Sequence, residues 1–171
     1  MRSAINNNPM NKKKYEQVIL YLCARSGGEI RGKKKLAKLL YYADFDFFEK
    51  FQKSITGDVY KAYPKGPLPE NLGEIADSLA KKGLIRQEAV QQWGADYAPT
   101  EVYKSLVEPD ISLLSKDEIK MLDRVIRKYG ALNGEQLAEL THAEAPYAAV
   151  EQYKEIPYEF SFYRGTDFSD L

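Results

Sequence analysis

Three groups of side chains in this 171-residue chain could carry chemistry: a lone histidine and a lone cysteine, a knot of lysines, and a proline–glycine segment flanked by tyrosines. His142 and Cys23 are the ingredients of an activated thiol, in which imidazole takes the thiol proton. Nothing near either residue signals that pairing. Cys23 sits in an apolar helical run, where a thiol behaves as a small buried hydrophobe, and His142 stands where a side chain can close a helix end. A single histidine excludes a multi-histidine metal site, and a single cysteine excludes both a cysteine cluster and an internal disulfide. No group of carboxylates has ligand spacing. Gly27-Gly28-Glu29-Ile30-Arg31-Gly32 lacks both the P-loop and the dinucleotide fingerprint. The expectation is a protein that is not an enzyme, with no cofactor and no metal.

The lysine knot offers a different chemistry. Arg31, Lys33, Lys34 and Lys35 crowd the start of a helix, where positive charge opposes the helix dipole. This is a candidate nucleic-acid patch, and the order helix, glycine turn, helix and later hairpin is loosely that of a winged helix-turn-helix. Against it, the helix that would read a groove is aromatic and apolar. Lys plus Arg equals Asp plus Glu at 25 each, so no global field draws the chain to nucleic acid or anionic membrane. The plain reading of the knot is a solvated face.

The third group is Tyr63-Pro64-Lys65-Gly66-Pro67-Leu68-Pro69. Its prolines fix the backbone, and Gly66 permits a conformation that residues with a Cβ avoid. As structure alone it is a rigid elbow between strand and helix. As a functional element it is a preorganised loop for a protein partner, because a rigid loop loses little entropy on binding and tyrosines are common interface anchors. Thirteen tyrosines against one tryptophan suit such a wet interface as well as a core edge.

The elements that must position these groups follow from periodicity. Gly32 to Gln52 is the strongest helix, with Leu36, Leu39, Leu40, Ala43 and Phe47 on one stripe, Tyr41, Tyr42, Phe45 and Phe48 widening it, and Lys38, Asp44, Glu49 and Lys50 on the wetter side. Residues 1–12 read as a flexible lead-in, and a helix from Lys13 stops at Gly27-Gly28. Val59 to Tyr63 alternates as a strand, and the prolines from Pro64 to Pro69 are expected to stop regular structure. Glu70 to Lys82 is helical. Leu84–Val90 and Ala95–Val102 form two arms of a hairpin around Trp93-Gly94, the second weakened by Pro99. Glu108-Pro109-Asp110 marks a lobe break, Ser115 and Glu118 form a capping box, and Asn133 caps a further helix that ends near Thr141-His142. The aromatic, acidic stretch from Tyr153 is either a docked edge strand or a free tail. Tyr158, Phe160, Phe162 and Tyr163 on it offer a competing partner surface. The fold class is α+β and mostly α-helical, a compact helical domain over 13–150 with a small β-hairpin and a tail over 151–171. No leader and no membrane-length apolar run of about 18 residues is present, so a cytoplasmic protein is expected.

Leu36-Ala37-Lys38-Leu39-Leu40-Tyr41-Tyr42-Ala43-Asp44 resembles the L-x-K-L-L-Y-Y-A helix of the Panacea domain, the hyperpromiscuous antitoxin domain of prokaryotic toxin–antitoxin pairs. Thr56 to Tyr60 with Tyr63 to Pro69 is similar to that family's Y…GPV-P segment. Leu114 to Glu118, Tyr129-Gly130 and Leu137 to His142 resemble its closing run. The resemblance spans roughly Tyr15 to Tyr147, with Leu68 where Val is frequent, Ala138 where Ser is common and Tyr147 where Trp often follows the proline. It implies a mainly helical antitoxin that neutralises a cognate toxin encoded by an adjacent gene, by direct protein–protein contact. Some relatives are similar to proteolytic adaptors that hand the toxin to a protease, and a DNA-binding transcriptional regulator is the alternative from a different class. With the rigid loop, the resemblance places the partner surface at Tyr63, Lys65, Gly66 and Pro67, with Thr141 and His142 nearby.

Overall fold

The computed structural model describes residues 9–171, so residues 1–8 of the expected lead-in lie outside the described residues. Helix α1 (Lys12–Arg25) opens at Asn11, whose side chain accepts from the Lys14 N–H and satisfies one orphan donor of the first turn. Gly27 and Gly28, at φ 81° and 93°, then reverse the chain into β1 (Glu29–Arg31). Helix α2 (Lys33–Phe51) follows, and every residue from Leu36 to Phe48 is buried. It has no wet side over that length. Lys38 and Asp44, expected to face water, are 2% and 0% exposed. A helix covered on all faces must bury whatever polar residues its sequence carries, and periodicity cannot reveal the second covering layer.

The Pro-Gly segment is a strand, contrary to expectation. β2 (Tyr60–Tyr63) and β3 (Gly66–Pro69) pair antiparallel around the two-residue turn Pro64-Lys65, with Tyr60 opposite Pro69, Ala62 opposite Pro67 and Tyr63 opposite Gly66. Proline is tolerated where its missing N–H faces away from the ladder. Here Ala62 and Tyr60, opposite the two prolines, turn their backbone groups to the other side. The Ala62 N–H donates to Lys154 O, and Ile156 N–H donates to Tyr60 O.

Helix α3 (Leu72–Lys81) leads to β4 (Ile85–Val90) and β5 (Thr100–Ser105), which pair antiparallel. The second arm therefore starts five residues later than expected, beyond Pro99. β1 adds to the far edge of β5, with Ile30 opposite Tyr103, giving the sheet order β1-β5-β4. Ser115 and Glu118 form the expected capping box of α4 (Lys116–Tyr129), and Asn133 with Gln136 forms a second at α5 (Gly134–His142). After the short α6 (Ala145–Ala148), the tail runs along the outer edge of β2 and enters a 3-10 helix, Tyr158–Tyr163. Tyr158 is buried against Phe45 and Phe48, so it is no part of an exposed tail surface. Phe162 and Tyr163 remain exposed. The result is the α+β, mostly helical class that the periodicity predicts.

Candidate functional site

The β2–β3 hairpin lies directly on α2. Gly66 is buried at φ 111°, and a Cβ built there would come within 2.6 Å of Lys38 Cε and 2.9 Å of Thr141 Oγ1. Only glycine lets the strand approach that closely. Lys38 Nζ donates to the carbonyl oxygen of Pro67 at 3.0 Å and makes no ion pair among the described residues. Burial, with the neighbouring charge of Lys34, pulls its ammonium down from the ordinary 10.5 to about 8.

A second set of contacts holds the hairpin through Tyr63, the cross-strand partner of Gly66. Tyr147 Oη donates to Tyr63 O at 2.7 Å, and its ring stacks on His142 at 4.6 Å between centroids. Tyr63 meets Tyr153 edge-to-face. Thr141 is fully buried and donates to Ala138 O, as a helix hydroxyl commonly does. The six residues expected at the partner surface thus gather at one place through these contacts, although they are not equally open. Lys65 and His142 are exposed, Tyr63 is half-buried, and Gly66, Pro67 and Thr141 are buried.

Beside the hairpin runs a groove of about 460 Å³ between Lys33 and Lys34 on α2 and Tyr63, Pro64, Lys65 and Leu68. It brings half of the candidate nucleic-acid patch to the candidate partner loop. Three of the four patch cations are engaged within the molecule. Lys34 pairs with Glu135 at 3.0 Å, Lys35 donates to Gly130 O at 2.6 Å, and Arg31 pairs with Glu29 at 3.0 Å. The Lys35 and Lys34 contacts offset the unfavourable dipole at the α2 N-terminus by tying its cations to the α4–α5 turn and the first turn of α5. Lys33 and Lys65 stand without an ion pair among the described residues.

What positions the hairpin is a set of buried charges that the sequence does not single out. Asp44 accepts from the Ile55 and Thr56 N–H groups at 2.8 Å and from Thr56 Oγ1 and Tyr60 Oη at 2.6 Å. Burial raises it from 3.8 to about 6, against the pull of those donors. It thereby fixes the chain leaving α2 and the first residue of β2. Two residues on, and facing the opposite side of α2, Asp46 pairs with Arg124 at 2.9 Å and Arg164 at 2.7 Å. Arg164 also holds Glu49 and Glu144. Tyr41 and Tyr42 donate to Glu144 at 2.9 and 2.8 Å. The only advance signal for this network is an acidic residue inside an otherwise apolar helix, Asp44 or Asp46.

Cys23 and His142 are not joined by a hydrogen bond among the described residues. Burial pushes the Cys23 thiol up to about 12, so it stays protonated at neutral pH. No group of three or more metal-ligating side chains assembles among the described residues. No helix among them is long and apolar enough to cross a membrane.

Residues 36–147, from the apolar core of α2 through Tyr147, match the family model described as antitoxin SocA-like, Panacea domain. The chain belongs to that family. No curated protein and no solved structure matches it. The matched segment of the Panacea domain begins at the buried face of α2 and ends at the tyrosine that bonds Tyr63 O, so it includes the hairpin with Lys38, Thr141 and Tyr147, while Tyr153 lies beyond it. The family's description supports an antitoxin role.

Proposed function

We propose that this Panacea domain is the antitoxin of a toxin–antitoxin pair and neutralises a toxin encoded by the adjacent gene through direct contact. The contact surface is the β2–β3 hairpin, led by Tyr63 and Lys65, with Gly66, Pro67 and Thr141 forming its rigid base and His142 at its margin. The observation that carries this reading is the close seat of Gly66 on Lys38 and Thr141. A hairpin held that tightly meets a partner without first being ordered, and the entropy cost of docking is correspondingly small.

Co-expression with the product of the adjacent gene tests it. The neighbour is expected to arrest growth alone, to be harmless together with this protein, and to co-purify with it as one complex. Persistent toxicity with this protein folded and abundant overturns the reading. A Gly66→Val, Tyr63→Ala double variant that is folded and still neutralises moves the contact away from the hairpin. Toxin that disappears faster when this protein is present identifies hand-over to a protease in place of simple sequestration.

A further inference from the structure

The groove beside the hairpin has a composition of its own. Its wall is apolar, from Tyr63, Pro64 and Leu68, while its rim carries Lys33 on one bank and Lys65 on the other. Both rim lysines are exposed, and neither makes an ion pair among the described residues. The buried Lys38 lies beneath with a carbonyl as its hydrogen-bond acceptor and no carboxylate paired with it. Glu135 pairs with Lys34 at 3.0 Å, and that bond, with the charges of Lys34 and Lys65, holds its carboxyl below the ordinary range. The groove is thus an apolar trough with surplus positive charge on both sides.

We infer that this groove receives an acidic segment of the partner protein, an extended stretch whose apolar side chains fill the trough while its carboxylates pair with Lys33 and Lys65. The inference rests on the antitoxin reading and names the chemistry of the surface that the toxin presents. Charge complementarity selects the occupant: two free cations flank a surface of tyrosine, proline and leucine, a composition that favours peptide over phosphate backbone. Duplex DNA needs a run of unpaired cations to release its counterions. Arg31, Lys34 and Lys35, which would extend such a run, are committed to Glu29, Glu135 and Gly130 O. Specificity follows from the same geometry, since a basic segment placed between Lys33 and Lys65 meets like charge on both sides.

The test is a Lys33→Glu, Lys65→Glu double variant, with Lys33→Gln, Lys65→Gln as the milder version. Lys116→Glu, Lys120→Glu on the exposed face of α4 serves as the control. Each is co-expressed with the product of the adjacent gene and titrated against it. The reversal is expected to abolish protection from the toxin and to weaken binding about a hundredfold at unchanged melting temperature, roughly tenfold for each reversed charge. The glutamine version is expected to lose less, and the control nothing. If the wild type neutralises the neighbour and the reversal does so equally well, the acidic-segment inference fails while the antitoxin reading stands. If the wild type itself neither binds nor neutralises the neighbour, both fall together. A fluorescent 20-base-pair duplex, titrated in parallel, supplies the remaining outcome: tight, salt-sensitive binding lost on the same reversal would assign the groove to nucleic acid and overturn the inference.

Discussion

Lys38 and Pro67 are joined by a 3.0 Å hydrogen bond from the lysine ammonium to the proline carbonyl, across the interface between the central helix and the hairpin. The pair links the two most distinctive stretches of the chain. Pro67 stands in a strand built around glycine and prolines, and Lys38 is the one cation among the apolar residues of α2 from Leu36 to Phe48. The consequences of that link can be measured.

Gly66→Ala places a Cβ against Lys38 Cε and Thr141 Oγ1 at a backbone φ that alanine avoids. Lys38 can bend away only by giving up its bond to Pro67. The expected loss is about 2 kcal/mol of folding stability, read as a lower urea midpoint at unchanged slope. A midpoint equal to wild type would mean that the hairpin stands off the helix.

Lys38→Met separates the cost of the buried charge from the rest of the fold. The folded-state pKa of Lys38, about 8, lies below its ordinary 10.5. Below pH 8 both states hold the proton and the folded protein bears the whole penalty. Between pH 8 and 10.5 the unfolded chain holds more protons than the folded one, so stability rises with pH. Lys34, Lys65 and Glu135 surround the site but are common to both proteins. From pH 7 to pH 10, wild type is therefore expected to gain about 2 kcal/mol relative to the methionine variant. Parallel pH curves from chemical denaturation would show that the ammonium is not desolvated.

Arg164 ties the tail to the core through Asp46, Glu49 and Glu144. Replacing it with methionine leaves Asp46 to Arg124 alone and deprives Glu49 and Glu144 of their cation. Breaking a buried pair from one side costs about 3–5 kcal/mol. The expected readouts are a large drop in melting temperature and protease cleavage between Tyr153 and Leu171. An uncleaved tail in the variant would mean that the aromatic packing of Tyr158, together with the Arg124–Asp170 pair and the Thr166–Glu49 bonds, suffices to hold it.

Tyr147→Phe deletes the hydroxyl that donates to Tyr63 O and leaves the ring on His142. About 1 kcal/mol of stability should be lost, since the half-buried carbonyl can still find water. The sharper signature is local: amide exchange at residues 60–69 should accelerate more than exchange in the middle of α2. Equal acceleration in both would show that the bond serves the whole fold and not the hairpin in particular.

Periodicity and caps are local, and what depends on them could be read from the chain. The start of α4 at Ser115, the cap of α5 at Asn133, the glycine stop after α1 and the central place of α2 all rest on residues within a few positions of one another. The motifs of α2, the proline–glycine segment and the stretch to His142 sufficed to point to the Panacea family. The burial of Lys38 and Asp44 could not be read, because a helical wheel describes one face and takes no account of a hairpin or loop covering the other. The strand at Gly66–Pro69 was hidden for a related reason. Whether a proline interrupts a ladder depends on which side the partner strand lies, and that is settled by the tail segment at Lys154 and Ile156, nearly ninety residues away. The same holds for the gathering of Tyr63, Gly66, Thr141 and His142 and for the meeting of Lys33 with Lys65 across one groove. The sequence determined the main helices, several of their caps and the family. Only the tertiary structure decided which polar residues are enclosed and which cations stand free, because those outcomes depend on contacts between segments distant in the chain.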